Sequence, residues 1–216
     1  MNDTPGRSRL VVGAASLIVG PLLMSIGDLF HPPESMDASA QVAIVAVAAS
    51  RWYGAHLLLL AGMLLLVPGI LTLTALASER SPAAGHVARL LILTSVGPFS
   101  AVFVFEMVLG RFLSERAAIP SAVALLETFQ SSEIFLVLVP GLLAFFVGTA
   151  FLVVPLASRA GPFRWPAVAF AVGAALILTE IVSANVLLSQ VGNVVIFLAS
   201  SAFAWLLLRG RQPRVK

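Results

Sequence analysis

Residues 53–77 read YGAHLLLLAGMLLLVPGILTLTALA, twenty-five positions without an Asp, Glu, Lys or Arg. At about 1.5 Å per residue, a helix over this stretch is about 38 Å long, enough to cross a hydrocarbon core of roughly 30 Å. Working outward, five more stretches share its character: Leu10 to Phe30, Leu90 to Leu109, Ile134 to Ala157, Pro166 to Ser189, and Val194 to Leu208. The fold class expected is therefore all-α: a polytopic transmembrane bundle of six helices, forming one transmembrane domain over residues 1–216. The last stretch is the shortest. Its fifteen residues reach about 22 Å, so it either extends back through Gly192 or sits in thinned lipid.

Composition agrees. Hydrophobic residues make up 59% of the chain and charged residues 11%, against about 25% charged in a soluble domain. There is no cysteine, which excludes disulfides, thiolate metal sites and cysteine nucleophiles. The formal charge is +3, with twelve Arg and one Lys. These cations lie between the spans, as an orientation signal does, and no nucleic-acid module is recognisable.

With the N-terminus inside, the inner segments hold Arg7, Arg9, Arg80, Arg89, Arg159, Arg164, Arg209, Arg211, Arg214 and Lys216, and the outer ones hold Arg51, Arg111 and Arg116. Ten against three supports both termini on the cytoplasmic side and an even helix count. Arg7 and Arg9 before an apolar run, with Ala38-Ser39-Ala40 beyond it, also fit a signal peptide. A 21-residue run containing Pro21 and Asp28 favours a retained first span. Between the first two spans, Met36 to Ser50 is apolar but short. Ala38, Val42, Val45 and Ala49 recur at helical spacing, which predicts a short outer interfacial helix starting near Asp37 or Ser39. Trp52 and Tyr53 suit the outer headgroup level, and Trp165 and Trp205 the inner one.

Ionisable residues within or beside spans carry the functional signal, because each costs roughly 2.5–3.5 kcal/mol at the bilayer centre and so turns toward protein or water. They are Asp28, His56, Glu106 and Glu180, with Glu133 at the mouth of the fourth span and His31 just beyond the first. Asp28 lies two residues from the outer end of its span, and His56 and Glu106 three residues from theirs. Glu180 lies nine residues from Ser189, or about 14 Å at helical rise. Ser183, Asn185, Gln190 and Asn193 continue the polar trend outward. The pattern predicts a polar pocket in the outer half, opening outward or sealed just below the surface. No Lys or Arg lies within the spans to neutralise these acids, although Arg51 and Arg111 at the rim reach far enough to snorkel. A carboxylic acid kept neutral in an apolar site is a competent proton donor.

Each residue has a plainer reading too. Asp28 at a helix end meets headgroups and water; Glu106 pairs with Arg111 at the rim; His56 packs near Trp52, one turn away. Glu133 is a helix-start charge and His31, before Pro32-Pro33, a loop residue. Glu180 is the hardest to dismiss in this way. Pro21, Pro68, Pro98 and Pro140 interrupt spans, which either shapes cavities or reflects the ordinary proline content of membrane helices. Phe99, Phe103, Phe105, Phe145, Phe146 and Phe151 fill the third and fourth spans, either as packing or as ring faces for a carbocation. A metal site from Asp28, His31, His56 and Glu106 is conceivable by ligand type but lacks a tight motif, so no metal and no cofactor is expected.

Gly27-Asp28-Leu29-Phe30-His31-Pro32, followed by Arg51-Trp52-Tyr53-Gly54-Ala55-His56, resembles small six-helix membrane proteins common in actinobacteria. That resemblance implies the bundle and a bacterial cytoplasmic membrane, not a chemistry. In size, class and buried acids the chain is more distantly similar to integral-membrane terpene cyclases of fungal meroterpenoid and bacterial indole-terpenoid pathways, whose fungal members have seven helices. That similarity implies protonation of an alkene or epoxide of a prenyl chain, with Glu180, Glu106 and Asp28 as the acids: Glu180 would be the donor, and Asp28 or Glu106 would orient the substrate or take the final proton. His56, Trp52, Phe99, Phe103 and Asn185 would then line the substrate, a lipophilic small molecule. The alternatives are a proton- or cation-coupled transporter, possible as a homo-oligomer, and an accessory membrane subunit. An enzyme should show a closed pocket and a carrier a polar route to the inner side.

Overall fold

The protein is described here by a computed structural model covering residues 5–35, 37–114, 119–158, 161–183 and 185–209. Every element is a helix: α1 Pro5–Leu29, α2 Ala38–Val47, α3 Ala49–Arg80, α4 Pro82–Leu113, α5 Ile119–Ser131, α6 Glu133–Ala157, α7 Arg164–Ser183 and α8 Val186–Arg209. Six of them (α1, α3, α4, α6, α7 and α8) are long and apolar enough to cross a membrane. The chain is a multi-pass helical bundle. With the charge-based orientation, the C-terminal end of α1, together with α2 and α5, marks the outer end. Of the basic residues behind that orientation, Arg116, Arg159, Arg211, Arg214 and Lys216 lie outside the described residues.

Two features differ from the sequence reading. The break between the last two spans falls at Asn185, not after Ser189, because the Asn185 Oδ1 accepts from Leu187 N and starts α8 there. The last helix thus has 24 residues and is not the short span expected. A helix not expected, α5, follows α4 outside the spans; Ala122 and Leu126 are its buried face. The short helix α2 forms as expected, with the Asp37 carboxylate accepting from Ala40 N at its start. Its buried face, Ala38, Val42 and Val45, packs on Trp52, Leu109, Leu113, Ala122 and Leu126. Protein therefore covers the stripe that sequence alone assigned to the interface.

Below this outer cap, a larger apolar core joins α1, α3, α4, α6, α7 and α8 through Leu17, Leu73, Ile92, Phe145, Phe170 and Phe203. Helix approach in lipid relies on small residues, because lipid chains are as apolar as leucine. Along α1, Gly13, Gly20 and Gly27 face α3, and a Cβ on any of them would clash with Thr72, Gly62 or Ala55. At the crossing, a Gly62 Cβ would lie 2.6 Å from the Gly20 carbonyl oxygen and 2.9 Å from Met24 N. Backbone cannot yield as a side chain does. Gly62→Ala should therefore cost about 1–3 kcal/mol, the usual penalty of overpacking. Nothing lies within 4 Å of a Cβ at Gly97, so Gly97→Ala should be neutral or stabilising by up to about 1 kcal/mol through helix propensity. Thermal unfolding of the two variants in one detergent checks the contrast.

At the inner end Arg80 Nη1 donates to the carbonyls of Pro155 and Leu156, satisfying the last turn of α6, and its guanidinium lies 5.5 Å from the Phe163 ring centre. Arg164 and Arg209 sit over Trp165 and Trp205. These pairs suit an interface where cations and aromatic rings meet water together.

Candidate functional site

The outer end gathers most of the polar residues singled out by sequence into one nest. Its floor is the contact of α1 with α8. The Asp28 carboxylate accepts from Asn193 Nδ2 at 3.2 Å and from Ser189 Oγ at 3.4 Å, and its carbonyl accepts from Gln190 Nε2. One turn deeper Ser25 Oγ donates to the Asn193 carbonyl. Asp28 is only 7% exposed, so it is a bridging acid inside the bundle and not a headgroup contact.

Its wall is a histidine–tryptophan stack. His31 is 5% exposed, not the loop residue that Pro32-Pro33 implied. The chain turns back after α1 because Arg51 Nε and Nη2 donate to the carbonyls of Phe30 and His31. That clamp drives the His31 ring onto Trp52 (centroids 4.5 Å apart) and His56 (4.7 Å). Thus the Gly27–Pro32 and Arg51–His56 stretches pack on one another. Burial holds the His31 imidazole below its ordinary value, against the pull of the Pro32 carbonyl and of Asp28, and the Arg51 guanidinium adds to the lowering. Glu34, which the sequence reading passed over, places Oε1 3.5 Å from His31 Nδ1.

Glu106 enters from α4. Its Oε2 and the Trp52 Nε1 are both buried, and neither has a hydrogen-bond partner of good geometry. The two groups lie close enough to interact with each other. Arg111 is exposed and makes no ion pair with Glu106 among the described residues, so the expected rim pair does not form. Glu180 on α7 is half-buried, within the field of Glu34 and Asp28. Asn185 is exposed and serves as the helix start described above. Glu133 is exposed in the first turn of α6, as a helix-start charge.

From this nest a file of rings leads toward the bundle centre. Centroid separations are 4.8 Å from Trp52 to His56, 6.1 Å on to Phe103, 6.1 Å to Phe99, 5.8 Å to Phe145 and 5.4 Å to Phe146. Phe99, Phe103 and Glu106 are spaced four and three apart on α4, hence on one face.

Two cavities among the described residues lie away from the nest. One of about 720 Å³ opens at the inner end beside Arg9, Thr72, Glu79, Phe163 and Leu207. A second, of about 10 Å³, lies deep against Met63, Ile92, Ser95 and Phe145. Asp28, His31, Trp52 and His56 of the nest are each between 1% and 7% exposed. Among the described residues no group of three or more His, Asp or Glu could hold a metal ion. Compared with models of protein families, with curated proteins and with solved structures, the chain matches none.

Removing the central acceptor should loosen the floor. Asp28→Ala leaves the Asn193 amide donor unpaired in a buried place, while Ser189 Oγ keeps the Val186 carbonyl as acceptor, at a cost of about 1–3 kcal/mol. Asp28→Asn, which keeps one acceptor oxygen, should lose about half as much. Unfolding midpoints of both variants in lipid nanodiscs measure the difference.

Proposed function

We propose that the outer nest is a membrane-embedded acid–base site, and that it serves as an acid-initiated cyclase of a prenylated, lipophilic substrate. The observation that carries this reading is the position of Glu106. Glu106 is half-buried, but its Oε2 is buried without a partner of good geometry, and it lies on the same helix face as the phenylalanines that begin the ring file. In that role Glu106 gives its proton to the terminal alkene carbon or to an epoxide oxygen. The cation left on the chain closes a ring while aromatic faces attract it. A carboxylate, Asp28 or Glu180, takes the final proton, so the reaction is an isomerisation without net proton change. Access requires the outer cap formed by α2 and α5 over Trp52, Leu109 and Leu113 to open beside Glu106, and the membrane is proposed to be a bacterial cytoplasmic one.

A proton-coupled carrier is the second reading, favoured by the hydrogen bonds from Asp28 across to α8. Beneath the nest Leu17, Leu66, Leu73 and Leu156 are buried, and the buried polar residues there among those described are hydroxyls only, Ser16, Thr74, Ser95, Thr149 and Ser200, with no ionisable group to relay a proton inward, which weighs against it.

The deciding experiment incubates membranes holding the protein in D2O with farnesylated indole and simple polyprenyl substrates. Wild type, Glu106→Gln and Glu180→Gln run in parallel. A cyclised isomer with one new deuterium, lost only in Glu106→Gln, supports the assignment. Proton flux in proteoliposomes without any cyclised product would move the reading to a carrier.

A further inference from the structure

Three polar contacts run through the two buried histidines. His31 Nδ1 lies 2.7 Å from the Pro32 carbonyl oxygen, His56 Nδ1 lies 3.0 Å from the Trp52 carbonyl oxygen, and the two Nε2 atoms are 3.4 Å apart. A carbonyl oxygen only accepts, so each Nδ1 contact requires an N–H on the ring. The Nε2–Nε2 contact requires an N–H on one ring as well. A neutral imidazole carries one N–H. Two neutral rings therefore supply two of the three hydrogens needed, and any choice of tautomers leaves one contact with lone pairs opposed. One added proton completes all three.

We propose that His31 and His56 form a proton-binding site, which holds a single proton between their ε nitrogens as an imidazolium–imidazole pair. The inference stands whether or not the nest acts on a substrate.

The surroundings set its limits. From α1, Asp28 attracts a cation on His31, and Glu34 in the segment after α1 lies against His31 Nδ1. From α3, Arg51 opposes the charge. Glu106 of α4 is held against Trp52, whose ring touches both histidines. Glu180 of α7 acts only through the field it shares with Asp28 and Glu34, and α8 contributes the neutral Ser189 and Asn193. Burial of His31 places uptake on the acid side of the ordinary histidine range. A second proton would set two imidazolium rings 4.7 Å apart in a buried place, where like charges exclude each other.

Two Nε2 atoms at this separation, each ring oriented by a carbonyl, also resemble part of a metal site. A third protein ligand is lacking among the described residues, and the proton is the better occupant.

The test is nitrogen-15 NMR of the full chain, labelled at histidine, in lipid bilayers between about pH 8 and pH 5. The chain has three histidines, and His86→Gln removes the exposed third from the spectrum. The expected result is two N–H groups on the four ring nitrogens at the upper pH and three at the lower. A coupling should run across the Nε2 pair, and both it and the uptake should vanish in His56→Gln. The wild-type spectrum decides the matter even if that variant fails to fold. Two rings still neutral at the acid end, or two full imidazolium rings, would overturn the proposal. Added Zn2+ alone occupying both Nε2 atoms at neutral pH would also overturn it, in favour of a metal site.

Discussion

Glu106→Gln should lower product formation by about 10²- to 10⁴-fold, the range that a positioned general acid contributes, while the fold survives. Glutamine is nearly isosteric with glutamic acid and leaves an amide where the carboxyl oxygen lacked a partner, so no new hole opens beside Trp52. The amide cannot give up a proton to an alkene. Under the proposed mechanism the first bond to hydrogen therefore does not form, and deuterium from solvent does not enter the product. Glu180→Gln should cost much less, because Glu180 has no counterpart to the buried Oε2 of Glu106 beside Trp52 and reaches the nest through its field alone. The reverse order of effects would return the donor role to Glu180, the residue whose depth along the chain made it the first choice from sequence. Equal losses in both would place the two acids on one proton path.

Depth along a span was readable because hydropathy marks where a helix enters and leaves lipid. The side a residue faces was not, because the spans carry little amphipathic signal. Glu180 and Glu106 show the difference. By span position Glu180 is the deeper, yet α7 leaves it half-exposed while α4 presents Glu106 to Trp52. The clearest missed signal was the glycines. Gly13, Gly20 and Gly27 repeat every seven residues, as do Gly62 and Gly69; Gly20, Gly27 and Gly62 lie where α1 and α3 touch backbone to backbone, and Gly13 and Gly69 lie against the Thr72 and Leu17 side chains. Seven-residue spacing of small residues marks a helix–helix seam, and a seam through Gly27 carries its neighbour Asp28 to the edge of the contact with α3. His31 illustrates a limit of another kind. A histidine followed by two prolines reads as loop, since proline stops the helix. Only the clamp from Arg51, twenty residues on, turns that loop inward. The helix α5 was missed because its thirteen residues carry one apolar stripe on a polar background, too weak for a span and easily taken for connection.

Trp52→Ala should carry the largest stability loss in the chain, about 3–5 kcal/mol by the record of buried aromatic truncations. Trp52 is 1% exposed and belongs to both parts of the outer end. One face packs into the cap with Val42, Val45, Leu109 and Leu113; the ring also stacks on His31 and His56. Its loss leaves a cavity bordered by two polar rings and a carboxyl group, which apolar neighbours cannot close over cheaply. The core below shares no residue with this cap, so the damage should be local. Amide exchange in α2 should speed up by about two to four powers of ten, as a loss of 3–5 kcal/mol requires when opening is confined to the cap, while α7 and the inner part of α3 keep their protection. Trp52→Phe, which keeps a ring between the histidines, should recover much of the difference. If α2 and α7 instead exchanged faster together, the cap and the core would be one cooperative unit, and the nest could not open to a substrate without unfolding the bundle. The two variants thus test more than packing: a cap that opens by itself is what admission of a lipophilic molecule to Glu106 demands.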